Sequence, residues 1–198
     1  MKKLTEMSLT ELWELFPIIL KEHNLDYSCW YEQEKINIQN TLKGFDVFRI
    51  NHIGSTYVPA LIAKPIVDIL LEFEKEYNKS DMIDSLTKDG WLVMAQDDKK
   101  GTIDLNKGYT LEGFAEKVYH LHIKPAGDWG ELYFRDYLLA HDEVAREYEV
   151  LKLKLKERFE HDRDSYTEAK TDFISIHTQK ARKELKNNYN PSYKNSKM

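Results

Sequence analysis

Residues 51–73, NHIGSTYVPALIAKPIVDILLEF, constrain the fold of this chain more than any other stretch. Two runs rich in β-branched and aromatic residues, 46–53 and 66–73, flank a connection that opens with Gly54-Ser55 and carries Pro59 and Lys64-Pro65. That pattern reads as strand, irregular turn, strand. Gly54 permits a sharp turn and brings its own N–H and that of Ser55 close to whatever docks there, a geometry suited to an anion or phosphate. So short a signal is equally that of a plain tight turn. Asp68 stands alone among Ile66, Val67, Ile69 and Leu70. A carboxylate inside an apolar run is costly to bury unless it has a metal, a cation or hydrogen-bond donors.

Side chains alternate along a strand, so Asp68, Leu70 and Glu72 share one face while Val67, Ile69, Leu71 and Phe73 take the other. In 118–124 the same rule groups His120, His122 and Lys124 and leaves Tyr119, Leu121 and Ile123 for the core. If the two strands are neighbours, Asp68, His120 and His122 converge. Two imidazoles and a carboxylate can hold a divalent transition metal or act as a general base with its orienting partners. The competing readings are a buried Asp68 paired with Lys64 or Arg135, and histidines that are half-buried sheet residues with solvent-facing tips. Lys64 precedes a proline and is extended, so its ammonium either meets phosphate or snorkels to water. Arg135 is expected to look past its neighbour Asp136, because adjacent helical side chains do not face each other; Asp68, another acid or a ligand phosphate are its candidate partners. Lys170, four residues after Tyr166, is either a phosphate contact or a solvated lysine over a core tyrosine. His52 is placed to fix the Gly54 turn by a hydrogen bond.

Around this centre the chain reads as alternating helices and strands. A capping box at Ser8-Leu9-Thr10-Glu11 opens a helix over 9–23 that contains Pro17, and a second helix over 28–43 ends at Gly44. Ser80 caps a helix to 89, stopped by Gly90. A strand over 91–96 follows, then a hairpin within 102–114 turning at Asn106-Lys107-Gly108, and a strand over 118–123. The rest reads as helices over 129–140, 142–160 and 165–185, the last behind a capping box at 165–168. In 143–160 the Glu/Lys-rich side is a solvated face, with Val144, Tyr148, Leu151, Leu155 and Phe159 turned inward. The expected fold is α+β: a mixed sheet flanked by helices, with N-terminal helices and a helical C-terminal region about 128–186, forming one domain over 1–186 and a flexible tail over 187–198.

With 198 residues, 41% hydrophobic and 32% charged, the composition suits one such domain. A net charge of −5 argues against a protein that mainly holds duplex nucleic acid electrostatically. The single cysteine, Cys29, can form no internal disulfide and reads as a small buried residue. Glu6, Glu11 and Glu14 interrupt any leader pattern, and no apolar run reaches membrane-spanning length, so the cytoplasm is the expected location and no membrane partner is expected.

A Gly-Ser turn followed by an aspartate on the next strand resembles the nucleotidyltransferase signature, and HIGST, VP and AKPIVDI resemble its GrpB branch more closely. The likeness continues through Tyr119-His120-Leu121-His122, Phe134-Arg135-Asp136-Tyr137-Leu138, Tyr148 with Leu151-Lys152, and Tyr166 with Lys170. The resemblance implies a nucleotidyltransferase-like fold. Nucleotidyltransferases usually carry a second acid two residues after the first, and often a third on a later strand, to hold two magnesium ions for in-line transfer. Here the second position is Leu70 and the later strand offers histidines. The expectation is a metal-dependent transferase or hydrolase acting on a nucleotide or other phosphate-bearing small molecule. Gly54 and Ser55 would cradle phosphate, Asp68, His120 and His122 would hold a divalent magnesium, manganese or zinc ion, and Lys64, Arg135 and Lys170 would offset negative charge. The alternative is a catalytically silent module that binds a nucleotide-like ligand or a protein partner.

Overall fold

The computed structural model describes residues 2–74, 77–186 and 188–191. Strands β1 (Val47–Ile53) and β2 (Val67–Phe73) pair antiparallel across the Gly54 connection. A crossover made of α3 (Lys79–Lys88), β3 (Leu92–Asp97) and β4 (Thr102–Thr110) then returns the chain as β5 (Gly113–Pro125), parallel to β2. Parallel neighbours need such a long connection, whereas β4 and β5 need only a tight turn. The sheet order is β1-β2-β5-β4-β3.

The two faces of the sheet have different cover. Val67, Ile69, Leu71 and Phe73 meet α2 (Tyr27–Thr41) and α3 in one core, with Ile38, Met82 and Leu86 completely buried. The opposite face lies beneath α4 (Gly130–Ala140), α5 (Asp142–Phe159), α6 (Arg163–Glu168) and α7 (Thr171–Glu184), whose own core is built from Tyr133, Phe134, Leu138, Val144 and Tyr148. The α+β class and the mixed sheet between helices stand as expected.

On this second face β2 carries three side chains with three fates. Leu70 is fully buried against Ile53 and Leu132. Glu72 is also fully buried: Arg49 donates to both its carboxylate oxygens, one at 2.9 Å, and the Gly127 N–H adds a third donor at 3.1 Å. Only Asp68 faces open space.

The structure corrects several expectations. The first helix, α1 (Leu9–Leu15), stops before Pro17 rather than running to residue 23. The proline pushes Phe16 out of helical backbone, to φ −126 and ψ 64. The segment beyond is extended and bonds elsewhere, through Ile18 N–H to the Glu160 carbonyl and a bridge between Lys21 and Ala63. Gly108 is a bulge inside β4 and not the hairpin turn, which falls at residues 111–112, so β5 begins at Gly113 and not near 118. At Gly108 φ is +90 and a Cβ would overlap the Lys117 carbonyl, so the close approach of the two strands demands glycine. Asn78, not Ser80, caps α3. The helix expected over 165–185 is two, α6 capped by Asp162 and α7, broken at Lys170. Cys29 is exposed, contrary to the buried reading. Of the segment 187–198 expected to be flexible, residues 187 and 192–198 lie outside the described residues, while Tyr189 is docked against Tyr133 and its hydroxyl reaches Arg135 and Asp136.

Removing one partner of a buried ion pair leaves a desolvated charge, so Arg49→Met should lower the free energy of unfolding by about 3–5 kcal/mol. Adding Glu72→Leu to that variant should restore most of the loss, as measured by urea denaturation; equal stability of the single and double variants would contradict the pairing.

Candidate functional site

The parallel register of β2 and β5 sets Asp68 opposite His120 and Leu70 opposite His122. The antiparallel register of β4 adds Asp104 opposite His122. The three central strands therefore bring Asp68, His120, His122 and Asp104 onto one patch of the helix-covered face. Nδ1 of His120 lies 3.1 Å and Nε2 of His122 3.8 Å from the same Asp68 oxygen, Oδ1. The far nitrogen of each ring is also held: His122 Nδ1 is 2.7 Å from Asp104 Oδ1, and His120 Nε2 is 2.8 Å from the Tyr109 hydroxyl. Arg163 in turn donates to that hydroxyl at 3.0 Å.

The Gly54 turn adjoins this patch for a steric reason. At φ +73 a side chain is strained, and a Cβ would overlap Oδ2 of Asp68. Glycine lets the backbone pass beside the carboxylate. The turn is braced as expected of His52, whose Nε2 lies 3.0 Å from Thr56 Oγ1. Thr56 donates its hydroxyl proton to the Ile66 carbonyl and so accepts from the imidazole. Burial lowers the His52 pKa to about 4, which keeps that ring neutral.

A cavity of about 660 Å³ opens over Asp68, His120 and His122, bounded by Gly54, Ser55 and the inner faces of α4–α7. Lys64, Lys152, Arg163 and Lys170 line it. Lys152 is 3% and Lys170 9% exposed. Among the described residues none of these four cations makes an ion pair with a carboxylate. Lys152 instead donates to the Ser55 hydroxyl at 3.3 Å and to the Ile62 carbonyl. Lys170 and Lys64 lie 4.3 and 5.9 Å from the Tyr166 ring centre. Tyr166 also lines the cavity, and its hydroxyl is buried with no hydrogen-bond partner among the described residues.

These surroundings shift the titrating groups. Burial works against the Asp68 carboxylate, but the hydrogen bond from His120 and the His122 imidazole close by outweigh it and hold the group far below the usual carboxylate range. Burial lowers His120, with Asp68 pulling the other way. Burial also opposes charge on His122, but bonds to Asp104 and Asp68 raise that imidazole to about 9. Desolvation, with Lys170 and Arg163 nearby, brings Lys64 down to about 7. Burial and Lys170 lower Lys152 to about 7, and burial lowers Lys170 to about 8.

Of the residues singled out from the sequence, Gly54, Ser55, Lys64, Asp68, His120, His122 and Lys170 meet at this cavity, and Arg135 does not. Its Nε donates to Asp136 Oδ1 at 2.7 Å, the adjacent pairing that helical geometry argued against, and Nη1 donates to the His52 carbonyl at 3.0 Å. A long arginine can fold back along its own helix when other partners fix the far end of the guanidinium. Arg163, Tyr109 and Asp104 were missed, and Lys152, noted only as part of a shared motif, was given no role. Strand alternation carried one strand further exposes Asp104, and Lys152 continues the i, i+4 stripe Val144–Tyr148 that the structure buries. Arg163 has no comparable sequence signal.

An unfolded chain returns Lys152 from about 7 to its ordinary 10.5, so between those values it binds the extra proton and stability rises with pH through that window. Replacing this lysine should therefore help most at low pH. The melting temperature of Lys152→Met relative to wild type is expected to be more favourable near pH 6.5 than near pH 9.5 by at least about 3 °C. A difference that does not change with pH would show the ammonium to be unstrained.

The Bacillus subtilis (strain 168) protein YqkA, of the UPF0157 group, is 29% identical over 194 residues, covering 93% of this chain and 54% of that protein, so the chain spans about half the length of this relative. The glutamate-rich protein GrpB of Alkalihalophilus pseudofirmus is 33% identical over 162 residues, 79% of this chain and 91% of the relative. The crystal structure of GrpB from Enterococcus faecalis superposes with a TM-score of 0.72 at 29% identity, covering 84% of this chain and 99% of that one. Residues 17–180 match the family described as GrpB protein, and the chain belongs to the GrpB family.

Proposed function

We propose that the cavity binds a nucleotide or another phosphate-bearing small molecule and that the chain is a metal-dependent transferase or hydrolase of that ligand. The observation that carries this reading is the concentration of Lys64, Lys152, Arg163 and Lys170, none paired with an acid among the described residues, in one cavity of a chain whose net charge is −5. Buried like charges repel and lose hydration, so an anionic occupant relieves a cost that the empty cavity carries. A phosphate chain offers several oxygens to such donors and to the Ser55 hydroxyl.

Asp68 stays ionised at neutral pH and can ligate a metal, and a metal taken up beside it would displace the proton that His122 carries on the nitrogen facing Asp68. A divalent metal held by Asp68, His120 and His122 would polarise a phosphoryl oxygen and acidify a bound water. The lysines would hold the negative charge that grows during transfer, and the helical cover would keep bulk water from the reacting groups. The second reading, a binding module without chemistry, is favoured by Leu70, which puts hydrocarbon where nucleotidyltransferases usually place their second acid.

A thermal-shift series with pyrophosphate and the four ribonucleoside triphosphates, each with and without magnesium, manganese or zinc, separates these readings. Ligand at about a hundred times its Kd should raise the melting temperature by roughly 5–10 °C. A metal-dependent shift lost in Asp68→Ala, with phosphate or pyrophosphate released, supports the enzyme. A metal-independent shift that survives Asp68→Ala supports the binding module. No shift with any of these anions sinks both.

A further inference from the structure

We infer that Asp68, His120 and His122 form a site for one first-row transition-metal ion, of the zinc type rather than magnesium, in which Asp104 and Tyr109 act as positioning residues for the two imidazoles. The inference rests on reading the cavity as a functional centre and adds the identity of its ion.

A two-magnesium arrangement does not fit these residues. Magnesium favours oxygen donors and near-octahedral geometry. The oxygen ligand expected two residues after Asp68 is replaced by Leu70, packed between Ile53 and Leu132, and Glu72 is consumed by Arg49 and the Gly127 N–H. What faces the cavity from the central strands is one carboxylate and two imidazoles.

That donor set has the dimensions of a tetrahedral centre. Ligand atoms about 2.0–2.1 Å from an ion at tetrahedral angles stand about 3.3 Å from one another. His120 Nδ1 and His122 Nε2 lie 3.1 and 3.8 Å from Asp68 Oδ1, and one ligand atom from each of the three residues falls within 4.8 Å of the others. Three protein ligands leave the fourth position for water or a ligand oxygen, the open arrangement of catalytic zinc sites.

The outer partners make the case stronger than the three ligands alone. A ligating imidazole must present one bare nitrogen, and it does so reliably when its other N–H is donated to an acceptor. Asp104 Oδ1 takes this role for His122 Nδ1 at 2.7 Å, and the Tyr109 oxygen takes it for His120 Nε2 at 2.8 Å. Arg163 can only donate, so it fills one lone pair of the Tyr109 oxygen at 3.0 Å, and the other lone pair can accept the His120 Nε2–H once an ion occupies Nδ1. Both rings are thereby turned with their other nitrogen toward Asp68, where an ion would displace the protons that now face the carboxylate. A half-buried histidine with a solvent-facing tip needs no such support at its far end.

Titration calorimetry of the chelator-treated full chain with zinc, manganese and magnesium alone, without nucleotide, tests this. We expect one zinc per chain, bound at least about 100-fold more tightly than magnesium, and a visible d–d absorption band when cobalt(II) is titrated instead. Asp104→Asn should weaken zinc about 10–100-fold with an unchanged circular-dichroism spectrum, Tyr109→Phe should weaken it less, and His122→Ala should abolish the cobalt band. Magnesium binding as tightly as zinc, two zinc ions per chain, or Asp104→Asn binding zinc like wild type would overturn the inference. Because no phosphate is present, such a failure is distinct from the failure of the cavity to bind nucleotide or pyrophosphate. An anion shift without zinc binding would leave phosphate recognition standing and remove the ion.

Discussion

The site depends on the parallel pairing of β2 with β5. That register places Asp68 beside His120 and holds His122 one pleat further along. It is fixed from the opposite face, where Val67, Ile69, Leu71, Leu121 and Ile123 all enter one core. Sliding either strand by one residue would expose this apolar set and bury the acid and the imidazoles among α2 and α3, a change the hydrophobic effect opposes at every position. The core beneath the sheet therefore supplies the precision of the polar cluster above it.

Two carboxylates on one strand face illustrate how surroundings decide between structure and chemistry. Glu72 is fully buried and its oxygens receive a guanidinium and a backbone N–H, so its donors are used and nothing faces the cavity. Asp68 meets imidazoles alone on one oxygen, with the other beside the Gly54 backbone. The cations of the cavity are unlike either acid. They are held by carbonyls, a hydroxyl and aromatic rings rather than by opposite charge, which keeps them in place without neutralising them. Buried charge left unpaired in this way destabilises a fold, and such local cost is usually found where a ligand is bound.

The centre of this architecture was legible because it follows from short-range rules. Alternation along 66–73 and 118–124 correctly grouped Asp68 with His120 and His122, and Gly54 announced a turn. What the sequence hid depended on longer reach. Pro17 was visible, but that it ends α1 outright follows from the extended segment finding partners in Glu160 and Ala63. Gly108 carries the signature of a turn, and only the close approach to Lys117 reveals a bulge. Lys152 was hidden by the charges around it on α5, a helix whose polar majority reads as solvated. Arg135 was drawn toward the site by its place in a shared motif, whereas its guanidinium is spent on Asp136 and the His52 carbonyl.

The arrangement of charge has one further consequence for the order of events in the cavity. A divalent ion arriving beside Asp68 would enter a space also lined by Lys64, Lys152, Arg163 and Lys170, so it would meet repulsion that Asp68, with Glu131 and Asp164 elsewhere on the lining, offsets only in part. A phosphate-bearing ligand arriving first meets those cations but also faces the Asp68 carboxylate. Each occupant removes the main penalty of the other, and linkage makes that help reciprocal. Any metal and phosphate that share this cavity must therefore bind with positive coupling, and that coupling weakens as the lysines lose their protons above neutral pH.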